Sequence, residues 1–220
     1  MEAYFGLLEE NDAAIIMQDA QVEEYAKVWD GICYFDFATV HKYFNDRFYE
    51  DKKEGLLLYT LPNAIVSVPI GTTTVKVSTE SAEGSRDYVI AKYEGDTLYV
   101  AADFVKEYAN FSYALYTEPN HMQVYTQWGE RQLATITKDT QLRYQGGIKS
   151  DILTDVSEGD KVIILEQMET WTKVKTGDAF IGYVENKKLS EPFADTPAPV
   201  TDYVEPVYES NTRDHKINLA

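Results

Sequence analysis

Three kinds of residue in this chain could do chemistry: a single thiol, three imidazoles, and ring-bearing side chains beside glycine-containing turns. Cys33 is the only cysteine, and it stands in the apolar run Ile32-Cys33-Tyr34-Phe35. A thiol attacks only as the thiolate, with a base or cation beside it. His41, eight residues on, is the imidazole nearest to it in sequence. The surrounding run reads as core, so Cys33 is expected to be a structural thiol and His41 a surface residue. His41, His121 and His215 are far apart, and no CxxC pair exists. The chain therefore offers no ligand spacing for a metal, and no cofactor is expected. Asp151 and Asp155 form the nearest thing to a carboxylate pair, but they sit in an expected loop and match no catalytic spacing. There is no GxSxG motif, and Gly146-Gly147 lacks the Lys-Ser/Thr that a phosphate loop requires. No catalytic residue is assigned.

The candidate ligand-binding residues are Tyr144, Trp171 and Tyr183. Flat rings beside loops can stack on sugar faces or hold peptide stems. The competing reading puts Trp171 and Tyr183 in a core, which leaves Tyr144, next to Gly146-Gly147, as the ring least committed to packing. The same choice applies to Tyr34, Tyr43, Tyr49, Tyr99, Tyr108, Tyr113, Tyr116 and Tyr125. Rings at strand and helix spacing build core with their hydroxyls reaching the surface, and a carbohydrate groove is the alternative.

The elements that must position these residues begin with an internal repeat. Residues 30–60 and 94–126 align on a shift of 65 positions, which sets Tyr34 on Tyr99, Val40 on Val105, Tyr43 on Tyr108, Asn45 on Asn110 and Phe48 on Tyr113. Each copy has a Gly-containing turn, an aromatic strand, a short helix, a terminal Asn suited to a left-handed helix end, and a hairpin. The helices are expected around Phe37 to Phe44 and Ala102 to Tyr108, and Ala13 to Met17 is expected as an opening strand. Two β-α-β-β units sharing a core would make residues 1–130 an α+β domain.

From Gln132 to Leu189 the chain carries short strands divided by turns at Gly146-Gly147, Glu158-Gly159-Asp160 and Gly177-Asp178. Five strands in so short a stretch, with no room for a helix, predict a small all-β barrel over residues 131–190. Residues 191–220 begin with Pro192, Pro197, Pro199 and Pro206 interleaved with acids. Pro stiffens the chain and like charges extend it, so this stretch reads as a semi-rigid linker. Its last residues, Asp214 to Ala220, read as the first strand of a further domain.

The chain has 220 residues, with 37 acidic against 20 basic side chains and a formal net charge of −17. Such a surface repels phosphate backbones and anionic lipid, so neither nucleic acid nor a membrane surface is an expected partner. No apolar run approaches the ~20 residues needed to cross a bilayer. Met1-Glu2-Ala3-Tyr4 does not open a signal peptide.

The motifs of the second region, Leu142-Arg143-Tyr144, Gly159-Asp160-Lys161-Val162, Trp171-Thr172-Lys173-Val174 and Gly182-Tyr183-Val184, resemble the bacterial SH3-like domain. Ala179-Phe180 departs from that family, which often has a Gly there. The doubled unit is similar to the copper amine oxidase N-terminal-like domain of secreted bacterial proteins, a name that implies no copper site. The whole arrangement resembles the front of glycoside hydrolase family 18 proteins from Gram-positive bacteria, closest at Tyr144 to Val156. That resemblance implies an extracellular or cell-envelope location and a non-catalytic module. The module would target cell-wall glycan or peptide stems weakly, or act as a spacer, ahead of the parent's catalytic barrel. The alternative is a protein–protein interaction module that docks a partner or that barrel.

Overall fold

The computed structural model describes residues 4–208. The expected strand over Asp214 to Ala220 lies outside the described residues.

The chain opens with β1 (Asp12–Met17), β2 (Ala20–Trp29) and β3 (Ile32–Asp36). Asp30 and Gly31 alone separate β2 from β3, and both have positive φ, 53° and 78°. A two-residue hairpin loop needs that conformation to match the strand twist, and Asp-Gly adopts it readily. The helix α1 (Phe37–Tyr43) follows, with the Asp36 carboxylate accepting from the Thr39 N–H at 2.7 Å. Next come β4 (Phe48–Asp51), β5 (Leu56–Thr60), β6 (Ile65–Pro69), β7 (Thr74–Val77) and β8 (Gly84–Ser85). β9 (Ala91–Glu94) leads into the second copy, which supplies β10 (Thr97–Ala101), α2 (Ala102–Lys106), β11 (Ser112–Tyr116) and β12 (His121–Tyr125). The remaining strands are β13 (Arg131–Thr135), β14 (Thr140–Arg143), β15 (Ile152–Val156), β16 (Lys161–Gln167), β17 (Trp171–Lys175), β18 (Ile181–Glu185) and β19 (Phe193–Asp195). A short 3-10 turn spans Asn186–Lys188.

The α+β expectation for the first 130 residues is overturned, because the described chain is nearly all β, with 47% strand and 7% helix. α1 has seven residues and α2 has five, too few to form a helical layer. The copies also diverge after their helices. The hairpin β4–β5 enters a five-stranded sheet, β4-β5-β6-β7-β8, whereas β11–β12 joins a seven-stranded sheet, β11-β12-β1-β2-β3-β10-β9. The expected left-handed residues Asn45 and Asn110 are absent from the positive-φ positions. Asn45 is fixed by its side chain instead: Nδ2 donates to the Tyr59 hydroxyl at 2.9 Å and the Tyr108 carbonyl at 2.7 Å.

These two sheets share one core. Phe35, Phe48, Tyr59, Phe104 and Phe111 are all at most 2% exposed in it. Tyr34 shows how such rings stay satisfied, burying its face while the hydroxyl donates to the Val89 carbonyl at 2.7 Å.

The later strands form a second seven-stranded sheet, β15-β14-β18-β17-β16-β13-β19, antiparallel throughout. Its inward residues Leu142, Leu153, Val162, Val174 and Val184 converge on a second core. Phe5, Ala14 and Ile16 pack into that core as well, although Ala13 and Ile15 on the opposite face of β1 belong to the first. β1 alternates between the two cores because successive strand side chains point to opposite faces.

The acidic stretch after residue 190 contacts both units. β19 pairs with β13, setting Asp195 opposite Arg131, whose Nε lies 2.8 Å from the carboxylate. Residues 196–208 then return along the first unit, and Tyr208 reaches the Tyr59 hydroxyl.

Candidate functional site

The outer face of β17 and β18 carries the expected ring residues. Thr172, Val174 and Val184 point inward and are buried, so Trp171, Lys173, Tyr183 and Ile181 take the opposite face. Pairing sets Lys173 opposite Tyr183 and Trp171 opposite Glu185. At the end of β14, Arg143 lies opposite Tyr183, which brings the following Tyr144 to the same edge.

Two of the three expected residues meet in a cleft. Tyr144 and Tyr183 line an open space of about 390 Å³ together with Tyr4, Asp19, Gln21, Gln145, Lys173 and Ile181. Tyr144 is 53% exposed, and its ring meets that of Tyr4 edge-on, with centroids 6.2 Å apart. Trp171 does not line this cleft. Its ring base lies against Gly146, where an added Cβ would come within 3.2 Å of the Trp171 Cβ and Cγ. Trp171 is thus half-buried under the Gly146-Gly147 loop.

The opposite wall comes from Tyr4 and the β1–β2 turn, and two contacts hold it in place. The Lys175 side chain is 1% exposed, and its Nζ donates to the Gln18 carbonyl at 2.6 Å, Asp19 Oδ1 at 2.8 Å and the Tyr125 hydroxyl at 2.9 Å. A buried ammonium needs such saturation, because its charge is costly when unpaired. The Tyr4 hydroxyl donates to the Ile181 carbonyl and accepts from the Ile181 N–H, the latter at 2.8 Å. Burial pushes the Tyr4 phenol up to about 12, so it remains a neutral donor at physiological pH. A third contact joins the units nearby: the two ring nitrogens of His121 face the Pro119 and Asp178 carbonyls at 2.7 and 2.6 Å.

The cleft combines ring faces, one ammonium (Lys173), one carboxylate (Asp19) and two amides (Gln21 and Gln145). Hydroxyl-rich or amide-rich ligands can pair with such a set while stacking on Tyr144. Asp19 is the one carboxylate lining it among the described residues, and it is already bonded to Lys175. Glycosidic hydrolysis by paired acids requires a second.

Cys33 is 3% exposed, and burial pushes its thiol up to about 11. The His41 ring nitrogen lies 2.6 Å from the Phe48 carbonyl, so it is engaged with backbone. Asp151 and Asp155 are both exposed. Among the described residues, no group of three or more His, Cys, Asp or Glu is placed to hold a metal ion. No described helix is long and apolar enough to cross a membrane.

Sequence reasoning missed Tyr4, Asp19, Gln21, Gln145, Lys173 and Ile181. Lys173 and Ile181 were accessible, since they alternate in step with Trp171 and Tyr183 along their strands. Tyr4, Asp19 and Gln21 come from a distant part of the chain, and no local pattern marks them. Comparison with protein-family models, curated proteins and solved structures finds no match for this chain.

Proposed function

We propose that this chain is a non-catalytic module that holds a secreted family 18 glycosidase at the cell wall, with weak affinity for glycan or peptide stems. The reading divides the chain into residues 1–130, an SH3-related unit over 131–190, and a connecting segment over 191–220. The observation that carries it is the exposed Tyr144 ring beside Tyr183 and Lys173 in an open cleft. The cleft is open and mixes ring faces with polar groups, which suits a ligand met at high local density on a wall. The resemblance of the Arg143-Tyr144, Trp171 and Gly182-Tyr183-Val184 motifs to wall-associated proteins supports the same reading.

Co-sedimentation with purified Gram-positive cell walls tests it. The wild-type chain is expected in the pellet, and Tyr144→Ala combined with Tyr183→Ala is expected to lower retention about tenfold, since each stacked ring contributes ~0.5–1.5 kcal/mol. A wild-type chain left wholly in the supernatant would remove the binding role and leave only a spacer.

A further inference from the structure

A second cavity lies away from that cleft, on the first unit. It encloses about 550 Å³ between the segment after α1 and residues 203–208. Its wall is prebuilt by groups of the first unit alone. Asn45 Oδ1 accepts from the Arg47 N–H at 2.9 Å, and Asn45 Nδ2 bonds both the Tyr59 hydroxyl and the Tyr108 carbonyl. The Tyr59 and Tyr108 rings pack together with centroids 4.4 Å apart.

The returning segment inserts side chains into this wall. The Tyr208 ring lies under the Arg47 guanidinium at 3.5 Å, and its hydroxyl donates to the Thr60 carbonyl at 3.0 Å while meeting the Tyr59 hydroxyl at 3.2 Å. Tyr203 and Glu205 line the same space. Residues 196–208 contain Asp202 and Glu205 and no Lys or Arg, and they pass Lys106, Lys42 and Arg47 on the way. Lys42 is paired with Glu24, and Asp46, Asp103 and Glu107 line the same face. Arg47 and Lys106, which make no ion pair among the described residues, are therefore the cations left to meet the acids of the segment.

The seating of the segment is that of a bound peptide rather than of core. Among the described residues, no backbone hydrogen bond ties 196–208 to the rest of the chain. Val204 and Val207 are 83% and 88% exposed, and the cavity beside Tyr208 is left unfilled. In the groove the segment is held by the Tyr203 and Tyr208 side chains, the latter under the Arg47 guanidinium.

We propose that the Asn45–Arg47–Tyr59–Tyr108 groove is a recognition site for an extended, acidic, tyrosine-bearing peptide, and that residues 200–208 are its intramolecular occupant. The proposal does not depend on the wall-binding reading. A tethered occupant competes at an effective concentration of about millimolar, so it shields the groove from weak ligands and yields to tighter ones. Such a site would let an acidic partner displace the segment and change where the following residues leave the molecule.

A labelled synthetic peptide of residues 198–208, added to the full-length chain, tests this. Tyr203→Ala with Tyr208→Ala is expected to free the segment, seen as new protease cleavage between residues 196 and 208. That variant should bind the peptide about tenfold more tightly than wild type, whose own segment competes. Adding Arg47→Ala should weaken peptide binding about tenfold through loss of the cation–ring contact. Arg47→Ala alone, a change at an exposed position, should also raise cleavage of the segment, and it covers the case in which the double variant fails to fold. Persistent protection in both variants, or a freed groove that ignores the peptide, would overturn the proposal.

Discussion

The two copies of the internal repeat begin alike and end differently, and their divergence locates the information that sequence periodicity lacks. Their first strands, β3 and β10, are antiparallel neighbours paired Tyr34 with Ala101, Phe35 with Val100 and Asp36 with Tyr99. Shifting by 65 exchanges the first and last of these pairs, so a local two-fold axis passes between Phe35 and Val100. Each helix then packs across the other copy's strand, α1 over β10 and α2 over β3. From the helix caps onward the relation weakens, and it is lost in the hairpins. Asp36 caps α1, whereas Ala101 at the equivalent place offers no side-chain cap. Asn45 organises a hydrogen-bonded network, while Asn110 is exposed and makes no side-chain hydrogen bond among the described residues. Duplicated sequence thus yields symmetry where strands meet each other and asymmetry where hairpins meet different sheets.

The largest expected expression of this asymmetry is at Phe48 and its counterpart Tyr113. Phe48 is 2% exposed and packs on Tyr59 with centroids 4.8 Å apart, so Phe48→Ala should cost about 3–5 kcal/mol. Tyr113 is half-buried and directs its hydroxyl to Asp103 at 2.7 Å. Tyr113→Ala should cost roughly half as much, in proportion to the area it buries. Urea denaturation of both variants reads the difference, and equal losses would mean the hairpins are packed alike.

A smaller contrast is expected at the paired asparagines. Asn45→Ala strands the partly buried Tyr59 hydroxyl and Tyr108 carbonyl, a loss of about 1–3 kcal/mol. Asn110→Ala should stay within about 0.5 kcal/mol of wild type. Thermal unfolding of the two variants side by side sharpens the comparison, because the residues are identical and only their surroundings differ.

The smallest effect separates Cys33 from Leu98, its partner under the same shift. The buried thiol ionises near 11 in the folded chain against an ordinary 9.0. Any stability it contributes is therefore complete below pH 9 and is lost as the pH rises toward 11. At about pH 8 the folded chain should resist iodoacetamide while the urea-unfolded chain is alkylated, as mass spectrometry would show. Labelling of the folded chain at the unfolded rate would place Cys33 outside the core.

Much of the local order was legible in residues. Asp30-Gly31 announced its turn, and the Ala13 to Met17 run announced its strand. The apolar spacing after Phe37 and Ala102 marked both helices. Sheet membership was hidden, because a hairpin pattern states which face is apolar but not which sheet will cover it. For that reason β4–β5 and β11–β12 looked interchangeable, and the α+β expectation failed. The candidate cleft was half legible for the same reason. Tyr144 and Tyr183 carried motif signals, but Tyr4 and Asp19 meet them only through contacts between units. The Pro- and acid-rich composition of the last segment states its stiffness, and it does not mark the tyrosines that dock on the first unit.

The placement of β1 between two cores carries a consequence for how the molecule is made. Its neighbour β12 is more than a hundred residues downstream, and Val184 of the second core is later still. A chain emerging from the ribosome therefore holds an apolar strand, Ala13 to Ile16, whose shelter in the first core waits for β12 and in the second for Val184. Nascent chains halted before Tyr125 should thus depend on chaperones in a way that chains extended past Val184 do not.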